Sequence, residues 1–282
     1  MALTRTSDDS RIEPAQPGTP IGVPGSKAGV RGIGLLVPVA ATLLWELAAR
    51  IGLISTRLLP APSEVATTIF DLAASGALAG HVTATLWRVV WGFLAGAAVA
   101  TVLGVATGMS TRLRRMLDPT LQALRSIPSI AWTPLFILWF GIFEASKITL
   151  IAVGVFFPIY LALSDAIAGV DRKLVEVGRI YGFDTPTMVR RILLPASMPT
   201  YFIGLRGGLG LGWMFVVAAE FLGASEGLGF LLVDGQMTGR SEVIVAAIVV
   251  FAVLGKTTDW MLATTGARLV AWQDGFRTGT TR

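Results

Sequence analysis

Long apolar runs separated by short polar breaks organise this chain. Runs at 33–53, 85–109, 121–142, 148–168, 201–222 and 243–263 are each about twenty residues long, which is the length a helix needs to cross about 30 Å of hydrocarbon. The pattern predicts an all-α integral membrane protein with six transmembrane helices. Pro128 falls near the start of the third run and Pro158 inside the fourth. Each frees a backbone carbonyl that needs protein or a cavity as a partner at membrane depth. Residues 63–79 are moderately amphipathic and too polar to span, with Ser63 placed to cap a surface helix.

One stretch, 171–199, breaks this pattern with a dense run of charge. Leu174, Val177, Gly178 and Tyr181 fall at i, i+3, i+4 and i+7, opposite Arg172, Lys173, Glu176 and Arg179, which reads as a short amphipathic helix. Gly182 sits where a left-handed glycine ends a helix. Asp184 or Thr185 can cap a second helix with Pro186 in its first turn. Met188, Val189, Ile192 and Leu193 then oppose Arg190 and Arg191, and Pro195 is expected to stop the run. The segment reads as a helical hairpin lying beside a membrane.

Composition agrees with the pattern. The 282 residues are 53% hydrophobic and 15% charged, with mean hydropathy +0.69, whereas soluble domains carry about a quarter charged residues. The absence of Cys excludes disulfides and thiolate metal sites, and a lone His81 excludes a His cluster. Residues 1–32 are polar and rich in Pro and Gly, a composition that reads as a disordered tail. Residues 265–282 form a second polar tail. The net charge of +5 points to topology rather than nucleic acid, because the basic residues track the loops. With the N-terminus in the cytoplasm, all Lys and Arg except Arg50, Arg57, Arg88, Lys147, Arg240 and Lys256 lie inside or at the inner edge. By the positive-inside rule both termini and the hairpin are then cytoplasmic.

Several polar residues fall inside the spans, where an ionisable group defaults to a functional hypothesis. Arg88, Glu220 and Lys256, with Arg206, are pathway candidates; a cation facing a pore suits an anionic solute. Glu220 could instead pin its helix to a neighbour, Lys256 and Asp259 at i, i+3 could pair with each other, and Glu46 and Arg50 at i, i+4 could pair near the end of the first span. The small-residue pairs Gly92/Gly96, Gly104/Gly108, Gly204/Gly208 and Gly208/Gly212 suit close helix packing. Gly255-Lys256-Thr257 lacks the earlier glycine of a phosphate-binding loop, and no catalytic set or metal constellation is evident.

Glu176, Gly182, Ile192 and Leu194-Pro195 stand in the register of the EAA loop of permeases in ATP-binding cassette importers, which this chain resembles. Val177 and Gly178 replace the two small residues that usually follow the Glu. From about His81 to Ala263 the chain is similar to the type-1 transmembrane domain (79–264, containing 171–199), preceded by a first helix at 33–53. The stretches Arg125-Ser126-Ile127-Pro128, Pro134 to Gly141, Phe156 to Ile159, Gly204-Leu205-Arg206, Ala219-Glu220 and Gly227-Leu228-Gly229 look like the sulfonate, taurine and nitrate branch, which also includes permeases for pyrimidine vitamin precursors. The resemblance implies a type I importer permease in the bacterial inner membrane, paired with a second permease copy. Glu176, Gly182, Ile192, Leu194 and Pro195 would shape the coupling hairpin, with Leu174, Tyr181 and Met188 on its apolar faces. ATP and Mg would be bound by partner ATPase subunits and none by this chain, and a periplasmic or lipid-anchored solute-binding protein would deliver the solute. The alternatives are a stand-alone ion-coupled transporter and an importer permease for a different solute, such as a pyrimidine vitamin precursor.

Overall fold

The computed structural model describes residues 30–221 and 223–271; most of both expected tails lies outside them. Every described element is helical, and the chain divides into two units at Trp45 and Glu46. The first unit is the greater part of α1 (Val30–Arg50), whose Leu36, Val37, Val39, Leu43 and Leu44 are exposed. Its Pro38 is accommodated within the helix, and the Thr42 hydroxyl donates to the Pro38 carbonyl at 2.9 Å.

The second unit continues through α2 (Pro62–Ala74), α3 (Ala77–Met109), α4 (Thr111–Ser126), α5 (Thr133–Phe140), α6 (Glu144–Ala168), α7 (Arg172–Ile180), α8 (Thr185–Met188), α9 (Leu194–Phe221), α10 (Leu228–Thr238) and α11 (Ser241–Leu269). Among the described residues α3, α6, the run 185–221 and α11 are each long and apolar enough to cross a membrane. The pair α4 and α5 counts as one more if taken together, but it is bent by 90°. The expected third span is therefore not straight. The basic stretch Arg112 to Arg115 lies in the first turns of α4, a polar amphipathic helix capped by the Ser110 hydroxyl. Pro128 disfavours helix at Ile127, and the chain leaves α4 in extended geometry there.

The core is α6, clasped between α3 and α9. Ile151, Val155, Ile159 and Leu163 have no exposed surface. Glycines bring the flanking helices close: a Cβ on Gly92 would stand 2.5 Å from Ile151, on Gly96 2.4 Å from the Ala152 carbonyl, and on Gly204 2.5 Å from Ala162. Between membrane helices there is no hydrophobic drive to associate, so such close van der Waals contact is what holds them. Polar links fasten α4 to α6: the Tyr160 hydroxyl donates to Asp118 at 2.9 Å, and Arg114 bridges Asp118 and Asp165.

At α2 the cap is Ala61 rather than Ser63, because Pro62 takes the first helical position and the Glu64 carboxylate accepts from the Ala61 amide. Ser63 bonds instead to Glu46 through both amide and hydroxyl, and Glu46 also pairs with Arg50.

Candidate functional site

The hairpin packs against the ends of α3 and α6. α7 closes in a two-bond Schellman turn: the Gly182 amide donates to Arg179 and the Phe183 amide to Gly178, each at 3.0 Å. Gly182 has φ +68°, a conformation that costs an L-residue about 1–2 kcal/mol. Asp184 caps α8 through the Thr187 amide at 3.2 Å, and its bonds from Thr187 hold its carboxyl below the usual range.

Two faces emerge. Inward, Met188 and Leu193 are buried with Leu163 and Ile167, joined by Val175, Phe183 and Ile192. Gly178 turns to this side and not with Leu174, as its sequence register suggested: a Cβ there would meet Ile192 at 2.7 Å and Met188 at 2.8 Å. Outward, Leu174 and Val177 are 48% exposed, Tyr181 75% and Ile180 83%. Glu176 is exposed, makes no ion pair among the described residues, and borders a cavity of about 570 Å³ with Arg172, Arg179 and Phe183. Pro195 does not stop the run. Residues Val189–Leu193 form a π turn that leads directly into α9, with the Leu194 amide donating to the Val189 carbonyl. A widened turn tolerates the proline that follows, whose missing N–H and ring conflict with a regular helix.

At the opposite end, where α3 and α6 begin and α9 ends, lies a buried ionic cluster. Arg88, 1% exposed, donates to both Glu144 oxygens at 2.6 and 2.8 Å, to Glu220 at 2.8 Å and to the Glu226 carbonyl at 2.7 Å. Lys147 adds a bond to Glu144 at 3.0 Å. Burying the guanidinium is tolerable because planar, two-pronged pairing satisfies it. The same cluster caps α10 from outside. The amides of Gly227, Leu228 and Gly229, which a helix cannot satisfy itself, donate to His81 Nδ1 at 3.0 Å, Thr85 Oγ1 at 2.8 Å and Glu220 Oε2 at 2.6 Å. Thr85 in turn donates to Glu220 Oε1, and His81 stacks on Phe230. Arg88 and Glu220, read from sequence as pathway candidates, are thus engaged on all sides in holding α3, α6, α9 and α10 together. Thr85, His81 and Glu144 escaped sequence reasoning, although His81, Thr85 and Arg88 recur at i, i+4 and i+7 on α3, a legible stripe.

The remaining candidates lie on the seam of α9 and α11. Arg206 pairs in two-pronged fashion with Asp259 at 2.8 and 2.9 Å. Asp259 therefore pairs across helices and not with Lys256, because the neighbouring helix offers a guanidinium fork that an ammonium one turn away cannot match. Lys256 is exposed and makes no ion pair among the described residues.

A glycine-packed membrane helix bundle with a helical hairpin inserted between two of its spans defines a multi-pass membrane protein. The sequence matches the family described as binding-protein-dependent transport system inner membrane component over residues 68–270, and the chain belongs to that family. It is 39% identical over 243 residues, 86% of this chain and 88% of the relative, to a Bacillus subtilis protein that bears the name aliphatic sulfonates transport permease protein SsuC. Its identity to the Escherichia coli protein of that name is 38%, over 79% of this chain and 85% of the relative. The fold is similar to a chain of the MetNI methionine ABC transporter, with TM-score 0.56, 19% identity, and coverage of 68% of this chain and 95% of that one.

Proposed function

We propose that this chain is the permease subunit of an ATP-driven, binding-protein-dependent importer, forming the route for a small anion of the aliphatic sulfonate class, with taurine and nitrate as chemical neighbours. The observation that carries this reading is the outward face of the hairpin. Leu174, Val177, Ile180 and Tyr181 form an unpartnered apolar face that is held rigid by a Schellman turn, a capped helix and a buried inner side. Glu176, Gly182, Ile192, Leu194 and Pro195 act as the EAA loop that docks into a groove of a partner ATPase. ATP and Mg belong to that partner.

In this reading the chain has six spans, with the bent pair α4 and α5 as the third, and both termini are cytoplasmic. The domain limits follow the sequence, shifted where the helices run: a first helix at Val30–Arg50, a permease core from 79 to the end of α11 at Leu269, and a polar tail on either side. Two copies pair around the route, and a solute-binding protein delivers the anion from outside. ATP binding closes the ATPase dimer, draws the hairpins inward and switches the bundle between its two openings. Affinity purification of the tagged chain from its native membrane tests the reading. Recovery of a P-loop ATPase, lost on Gly182→Val, supports it; a chain that is recovered alone and drives uptake from an ion gradient overturns it.

A further inference from the structure

We infer that the exposed charges on the α9–α11 seam line the water-filled route, and that Lys256 is the cation a permeating anion meets; the identity of that anion rests on the importer reading above. Arg206 lies about 18 Å from the start of α9 and about 22 Å from its end, at 1.5 Å per residue. Asp259 lies about 27 Å from the start of α11 and about 15 Å from its end. Both helices are apolar enough to span a membrane, yet the side chains of Arg206 and Asp259 are 48% and 30% exposed. Charged groups on a span face protein or water, not hydrocarbon.

The ionic cluster around Arg88 offers a contrast in the same molecule. There, Arg88 and Glu220 are buried and mutually neutralised. On the seam, Arg206 and Asp259 cancel and Lys256 is left over, so the exposed row carries one formal positive charge. The face of α9 that carries Arg206 is open: at i−3, i+4 and i+8 from it, Ile203 is 71% exposed, a Cβ on Gly210 would meet nothing within 4 Å, and Met214 is 66% exposed. A cation with no ion pair among the described residues, next to an open, partly charged helix face, favours the entry of anions over cations.

The absence of native Cys makes a direct test possible. Gly210→Cys, Met214→Cys and Lys256→Cys, each made singly, are exposed in native membrane vesicles to a sulfonate-bearing and a trimethylammonium-bearing methanethiosulfonate. Both α9 positions should react, and at Gly210→Cys the anionic reagent should outpace the cationic one by about tenfold when each rate is taken relative to the same reagent's rate with a free thiol. Adding Lys256→Gln should bring that ratio close to one. Reaction only after detergent extraction would place the face in lipid and sink the proposal. So would spontaneous disulfide-linked dimers without reagent access, which mark a dry contact between copies, or reaction at Lys256→Cys but not at Met214→Cys, which marks a lysine reaching the membrane surface. A ratio unmoved by Lys256→Gln would remove Lys256 from the route. The readout needs no ATPase, so its failure is separable from failure of the importer reading.

Discussion

Replacing Glu220 by alanine tests whether the buried ionic cluster holds α9 to α3 and α10. The carboxylate accepts from Arg88 Nη1, Thr85 Oγ1 and the Gly229 amide, all within 2.8 Å, and its side chain has no exposed surface. Alanine removes both acceptor oxygens and all three bonds, and leaves Arg88 with Glu144 as its one carboxylate partner among the described residues. Breaking a buried pair from one side costs about 3–5 kcal/mol. For a chain of this size that lowers the unfolding midpoint by about 6–20 °C, at about 2–4 °C per kcal/mol. Glutamine keeps one carbonyl oxygen but turns an NH₂ toward existing donors, so Glu220→Gln should cost about 1–3 kcal/mol. Thermal unfolding of the purified protein in detergent, followed by tryptophan fluorescence, gives the midpoints. Arg88→Met, and the double variant Arg88→Met with Glu220→Ala, close a cycle whose coupling should reach about 1–3 kcal/mol. Single losses below about 1 kcal/mol that simply add in the double variant would refute the reasoning.

Three further outcomes follow from the geometry. Gly182→Ala should destabilise the hairpin by about 1–2 kcal/mol, and Gly182→Asn by less, since space is open around the site and only φ resists; protease sensitivity of the hairpin ranks them. Gly178→Val should cost about 1–3 kcal/mol by driving into Met188 and Ile192, whereas Val177→Ala, on the exposed face, should stay within about 0.5 kcal/mol, both read from the same digestion. His81→Phe should keep the stack on Phe230 but leave the Gly227 amide unpaired, a loss of about 1 kcal/mol, with faster hydrogen exchange at the start of α10 as the measurement.

What the sequence made legible was whatever a local pattern encodes. The hairpin announced itself because charge saturates one short stretch, and Gly182 and Asp184 end and begin helices by backbone rules that need no tertiary contact. The packing glycines of α3 and α9 were legible for the same reason, since their four-residue spacing is a property of one helix. Other features depend on partners far along the chain. Asp259 had a sequence neighbour in Lys256, but its partner Arg206 is 53 positions away. Glu220 and Thr85 meet across 135 positions, so the outside capping of α10 has no local signature. Pro128 signalled a break without its 90° angle, and Pro195 looked like a stop because the π turn before it leaves no mark in composition.

The run 185–221 is one uninterrupted helix of 37 residues, about 55 Å long at 1.5 Å per residue. One end carries the exposed hairpin face, and the other carries Glu220 in its cage of donors. It is therefore a shaft held by polar bonds at one end and by the apolar packing of Met188 and Leu193 at the other. A tilt of about 5° around the Glu220 anchor sweeps the hairpin end through about 5 Å, roughly one helical turn. No loop along its length absorbs that sweep, and the π turn at Val189–Leu193 is an irregular joint beside the hairpin end. Stiffening that joint would change the stroke of the shaft without touching either end.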